Sequence, residues 1–128
     1  MSTKSIEQNR AVVKRNFDEV WNQGNLAAAD EIFSPDYVRH WPDGRDVFDP
    51  EATKQAVKAF HAAYPDMQFT IQDLIAEGDR VATRYTFRGT QRGEFMGVAA
   101  TNELQTSSGM IIYRLVEGRI VEDWIVTT

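Results

Sequence analysis

The chain contains no cysteine. Disulfides, thiolate nucleophiles, iron–sulfur clusters and cysteine-ligated zinc are thereby excluded. Histidine is scarce as well, with two in 128 residues. Two imidazoles without convergent carboxylates do not build a metal centre, so neither a metal nor a cofactor is expected. Basic residues are outnumbered, 14 Lys and Arg against 19 Asp and Glu, for a formal charge of −5. No Lys/Arg cluster of the kind that tracks phosphates is present, which argues against a nucleic-acid partner. No apolar run approaches the roughly 20 residues of a membrane span. The first ten residues, Met1 to Arg10, are polar and lack the apolar core of a signal peptide. The expected location is the cytoplasm, with no membrane partner.

What is present is globular in composition: 42% hydrophobic and 26% charged residues. The length suits a single domain over 1–128. Ile6, Val13, Phe17, Val20 and Trp21 recur near helical spacing and predict a helix over 4–22, with Gly24 behind it as a C-cap. Asn25 can cap a second helix over 26–33. Tyr37–Trp41 predicts a short strand, broken by Pro42-Asp43-Gly44. Asp49-Pro50-Glu51 opens a third helix over 51–63. The remainder predicts strands at 67–76, 80–89, 101–116 and 119–127. The third of these is expected to kink near Ser108-Gly109. In the second strand Val81, Thr83, Tyr85 and Phe87 share one face. Helices followed by a run of strands indicate an α+β fold.

The order of several short segments resembles the SnoaL-like polyketide cyclase family, within the nuclear-transport-factor-2-like superfamily. The carriers are Val20-Trp21-Asn22-Gln23-Gly24-Asn25, Phe33-Ser34-Pro35-Asp36-Tyr37-Val38-Arg39-His40 and Tyr64-Pro65-Asp66. Ala76-Glu77-Gly78-Asp79-Arg80-Val81, Gly93-Glu94-Phe95-Met96-Gly97-Val98 and Gly118-Arg119-Ile120-Val121-Glu122-Asp123-Trp124 complete the set. The resemblance spans almost the whole chain. It implies a cone-shaped, strongly bent antiparallel sheet wrapped around three N-terminal helices and enclosing an apolar pocket. It also implies a homodimer and a small apolar ligand.

Family cyclases use a carboxylate, commonly beside a histidine, for proton transfer next to a carbonyl. The resemblance places that aspartate four residues after Trp124, where this chain carries Thr128. In the related ketosteroid isomerases the reactive positions map to Phe17, Trp41 and the vicinity of Ile111, none of which bears the required group. His40 is then the expected catalytic base, with Glu122 and the loop residue Glu94 as further candidates for acid–base work. Phe17, Trp21, Trp41, Tyr85, Phe87, Phe95, Met96, Tyr113 and Trp124 are the expected pocket lining, Tyr85 and Tyr113 adding polar tips that could orient a carbonyl.

Three functions are compatible with these residues. The first is a cofactor-free cyclase or isomerase acting on an apolar, polyketide-like carbonyl compound. The second is a non-catalytic binder of such a ligand, favoured by Thr128 at the aspartate position. The third is a protein-interaction module using an outer sheet face expected to carry Arg84, Thr86, Arg88, Glu103 and Gln105.

Overall fold

The computed structural model describes residues 3–128. Helix α1 spans Thr3–Arg15 and runs on as a π-helical segment over Asn16–Asn22. The single helix expected from the sequence is therefore continuous but changes its winding. The wider turn buries Phe17, Val20 and Trp21 together. Helix α2 (Leu26–Ile32) is capped by Asn25, whose Oδ1 accepts from the Ala28 N–H at 3.2 Å. Helix α3 (Pro50–Ala63) begins with proline in its first turn. Asp49 Oδ1 accepts from the Glu51 and Ala52 N–H groups at 2.8 and 3.2 Å.

Six strands follow or interleave: β1 (Phe33–His40), β2 (Asp46–Phe48), β3 (Gln68–Glu77), β4 (Arg80–Thr90), β5 (Leu104–Val116) and β6 (Arg119–Thr127). They form one sheet in the order β2-β1-β6-β5-β4-β3. The α+β class expected from the sequence holds. The strongly bent, all-antiparallel cone does not. The sheet is mixed, because β1 enters from α2 and runs parallel to β6. It is neither closed nor strongly curled: β2 and β3 remain free edges that do not pair with each other. Strand β2 was not foreseen. It returns along β1 after Pro42-Asp43-Gly44, with Arg39 opposite Val47.

The expected kink in β5 is also absent. Pairing with β4 runs without a break through Thr86–Ser108 and Tyr85–Gly109. Gly109 serves a different purpose. A Cβ there would lie 2.5 Å from Tyr85 Oη and 2.8 Å from the Val126 carbonyl oxygen. The missing side chain gives Tyr85 its place on the inner face.

The helices cover one face of the sheet. Val81, Thr83, Tyr85 and Phe87 of β4 are buried there, as their alternation predicted, opposite Ile111, Tyr113 and Leu115 of β5. Two shifts of register set which side chains join them. In β3 a shift between Ile71 and Asp73 leaves Gln72 unpaired. In β6 a shift at Arg114/Leu115 leaves Val121 as an extra residue. A bulge of this kind reverses the alternation beyond it. Ile120, Asp123 and Ile125 are consequently buried, while Glu122 and Trp124 turn to the outer face.

Candidate functional site

A cavity of about 630 Å³ lies between the helices and the inner face. Its apolar wall is built from three directions. The π-helical segment supplies Phe17 and Trp21, α3 supplies Phe60, and the sheet supplies Phe69, Tyr85 and Phe87. Their rings meet edge-on or tilted. Phe17 lies 5.7 Å from Tyr85, Trp21 5.6 Å from Phe69, and Phe60 4.7 Å from Phe95. Such geometry is favoured by the ring quadrupoles and fixes the shape of the wall.

Two local devices hold these rings. The side-chain amide of Asn22 donates to the Phe69 carbonyl at 2.9 Å and accepts from the Phe69 N–H at 2.8 Å. This clamps the end of the π-helical segment to β3. His61 Nε2 donates to the Trp21 carbonyl at 2.6 Å, closing the same segment from α3. The loop after β4 is organised by Gln91, which is almost fully buried. Its Nε2 donates to the carbonyls of Gly93, Val98 and Ala99 at 3.1–3.2 Å. Its Oε1 accepts from Gln105 Nε2 at 2.8 Å. The loop so held presents Phe95 and Met96 to the cavity from a tight turn, Phe95 and Val98 exchanging backbone bonds of 2.9 Å.

The polar end of the cavity is made by β1, β2 and β6. Arg39 reaches it from β1 and is held from behind by Asp123, which is completely buried. Arg39 Nε donates to Asp123 Oδ1 at 2.8 Å and Nη2 to Oδ2 at 3.1 Å. The Tyr37 hydroxyl donates to Oδ2 at 2.7 Å. Burial alone would lower the Arg39 pKa; the Asp123 charge overrides it, and the guanidinium is held well above its usual value. The Asp123 oxygens are thus occupied by Arg39 and Tyr37, and within this group Arg39 Nη1 has no hydrogen-bond partner among the described residues. Tyr85 Oη also has none, and burial pushes its pKa up. Arg45 stands on the same rim, its guanidinium 4.8 Å above the Trp41 ring.

The expected pocket residues Phe17, Trp21, Trp41, Tyr85, Phe87, Phe95, Met96 and Tyr113 all line this cavity. Trp124 does not. It lies on the outer face, stacked on His40 at 5.5 Å and covered by Arg80 at 4.9 Å. His40 and Glu122 are also on that face. His40 Nδ1 is 2.8 Å from Asp46 Oδ1 and Nε2 is 2.6 Å from Glu122 Oε2. Glu122 Oε1 also accepts from Arg114 Nε at 2.9 Å. The imidazole lies between two carboxylates, and its pKa is raised by the bonds to Asp46 first and Glu122 second. The Glu122 pKa moves down: burial opposes this, but the bonds from His40 and Arg114 outweigh it. The group expected to be a base beside the pocket is instead a hydrogen-bonded staple across β2, β1 and β6 on the far side of the sheet. Glu94 is exposed on the loop and is not part of the cavity wall. Thr128 lies on the rim, its hydroxyl accepting from the Ser108 N–H at 3.0 Å.

Gln105, expected on the outer face, points inward and accepts from the Tyr64 hydroxyl at 2.8 Å. Arg39, Arg45, Asp123 and Gln91 were not singled out from the sequence. A signal for the first was available. Alternation along Tyr37-Val38-Arg39-His40-Trp41 puts Arg39 with Tyr37 and against His40. Among the described residues no group of three or more His, Asp or Glu is placed to hold a metal ion, and no helix is long and apolar enough to cross a membrane.

The model of the SnoaL-like polyketide cyclases matches residues 11–127. The chain belongs to that family. Its place in the nuclear-transport-factor-2-like superfamily follows. The SnoaL-like chain is similar to IdmH from Streptomyces antibioticus, a candidate polyketide cyclase, at 33% identity and a TM-score of 0.82 over 94% of this chain and 91% of that one. It is also similar to AclR from Streptomyces galilaeus, a candidate hydroxylase, at 30% identity and a TM-score of 0.85 over 96% and 90%. A SnoaL-like structure from Jannaschia sp. CCS1 shares the fold, with a TM-score of 0.88 at 22% identity over 99% and 90%. No curated protein matches the chain. The family supports a small-molecule pocket; the two relatives just named carry different reaction assignments on one fold, so the chemistry has to be argued from this cavity.

Proposed function

We propose that this protein binds a small, largely apolar carbonyl compound of polyketide type in the cavity and closes or isomerises it. The observation that carries the reading is the pairing of an aromatic wall with two donors, Arg39 Nη1 and Tyr85 Oη, that no acceptor among the described residues occupies. A C–H flanked by two carbonyls loses its proton to solvent once the enolate oxygen is stabilised. The enolate carbon then attacks a second carbonyl of the same chain, forming a C–C bond, and the resulting alkoxide takes a proton back from water. Arg39 and Tyr85 would receive the enolate oxygen, and the rings would hold the chain bent so that its two reacting carbons meet. A homodimer belongs to the same reading and is tested by sedimentation.

A second reading is a binder without turnover. It is favoured by a specific observation: neither a carboxylate nor an imidazole is among the cavity-lining residues. Incubation with linear polycarbonyl esters, followed by mass spectrometry with chromatography, separates the two. A product of unchanged mass and altered retention is ring closure, and loss of one water is closure with dehydration. Ligand retained by the protein but recovered unaltered supports the binder. Failure of every apolar carbonyl compound to bind would remove both readings and leave the interaction module.

A further inference from the structure

The whole molecule is acidic, yet the charged side chains on the cavity wall are both arginines, Arg39 and Arg45. Both stand at the β1–β2 end, Arg39 opposite Val47 in register and the Arg45 carbonyl accepting from the Trp41 N–H at 3.0 Å. The other end is built from Phe60, Phe69, Phe87 and Phe95. Asp123 lies behind Arg39 and offers the cavity no free oxygen, since Arg39 and Tyr37 occupy both. Arg39, Arg45 and Asp123 together leave one positive charge at this end of the site. Asp43 offsets Arg45 only weakly, at 3.9 Å and with both side chains more than half exposed. The cavity is therefore polarised along its length, cationic at the hairpin and aromatic at the opposite end.

Resting on the pocket reading above, we infer that the ligand binds as a monoanion: an apolar body carrying a carboxylate or an ionised enol, its charged oxygen directed at Arg39 and Arg45. A neutral carbonyl could accept from these donors but would leave the positive charge unbalanced. An anionic oxygen matches the residual charge and makes charge-assisted bonds, which are about twice as strong as neutral ones. Arg45 acts here as a specificity determinant, selecting the free acid over its ester. Its stacking on Trp41 keeps the guanidinium over the mouth, and its exposure lets it fold onto a bound headgroup.

The probes are anthraquinone-2-carboxylate, its methyl ester and 2-hydroxyanthraquinone, titrated by quenching of tryptophan fluorescence. The acid is expected to bind about tenfold or more tightly than the ester, the ratio a single charge-assisted contact supports. Arg45→Gln is expected to weaken the acid far more than the ester, removing most of that ratio, with the melting temperature intact. Hydroxyanthraquinone affinity that rises as its phenol ionises assigns the anion to an enol; a gain confined to the carboxylate assigns it to an acid. Equal binding of acid and ester, together with hydroxyanthraquinone affinity indifferent to ionisation of its phenol, overturns the monoanion and leaves the pocket reading standing. Absence of binding by any of the three overturns both.

Discussion

Removing the carboxylate behind Arg39 should be among the most damaging single substitutions in the chain. In Asp123→Ala the side chain lost is fully buried, and it takes with it two bonds to Arg39 and one to Tyr37. What remains is a guanidinium with only 14% of its side chain exposed and a buried phenol that has lost its carboxylate acceptor. Breaking a buried ion pair from one side costs about 3–5 kcal/mol. An unpaired buried hydroxyl costs about 1–3 kcal/mol more, not fully additive with the first. The open cavity side of Arg39 admits water and relieves part of this, so about 4 kcal/mol is the expected loss. With a urea slope of about 2 kcal/mol/M, the unfolding midpoint falls by about 2 M at unchanged slope. The total stability of such a domain is about 5–15 kcal/mol, so the variant survives or fails within reach of the assay. The double variant Arg39→Met with Asp123→Leu, which removes both charges, should recover most of the loss. A midpoint shift below about 0.5 M in Asp123→Ala would refute the idea that this pair anchors the cavity end. So would a double variant as unstable as the single.

Two further outcomes follow from the same geometry. Gly109→Ala places a methyl group where Tyr85 Oη now lies 2.5 Å away, so Tyr85 must move into the cavity; a loss of about 1–3 kcal/mol in urea unfolding and weaker ligand binding are expected. For His40, the folded pKa is raised above the unfolded value, so its contribution is complete below the unfolded pKa and vanishes as pH climbs through the folded one. Glu122, held low, loses its share only as pH falls through its own folded pKa. The gap between the wild type and His40→Gln should therefore be widest on the acid side of neutrality, at most about 1 kcal/mol for so exposed a cluster, and should close at alkaline pH. A gap constant between about pH 5 and 9 would show that the staple does not titrate with folding.

Much of the fold was legible because local chemistry announces itself. Asn25, Asp49-Pro50 and Glu117-Gly118 mark helix starts and a turn by side-chain and backbone preferences that act over a few residues; Glu117 and Gly118 take φ values of 51° and 78°, as a tight hairpin requires. Most of the aromatic lining was legible too, since a large ring with few polar atoms finds an interior in almost any packing. The parity of β6 was not. Counting from Ile120 puts Glu122 and Trp124 inside, and only the extra residue Val121, visible in the pairing with β5, puts Asp123 there instead. Gln91 escaped notice because an amide in a loop is unremarkable until three carbonyls converge on it. His40 drew attention for its chemistry, although alternation with Trp41 already set the two on opposite sides of the strand. The strong bend and the all-antiparallel pairing expected of the sheet are not found, because nothing local encodes how far a sheet curls or that β1 runs parallel to β6.

A sheet that does not close keeps two rows of backbone groups available to other chains, and open rows invite fibre-like stacking. This molecule answers at each edge separately. Strand β2 has three residues, too few to template a neighbour. Strand β3 has ten, and needs more protection. Asn22 occupies the N–H and C=O of Phe69 with its own amide, standing in for one residue of an incoming strand. Three positions further on, the unpaired Gln72 disturbs the register, and Asp73 and Glu77 add charge to the border. The amide that positions a cavity ring thus also guards solubility, so a substitution at Asn22 made to reshape the cavity would expose an aggregation-prone border in the same stroke.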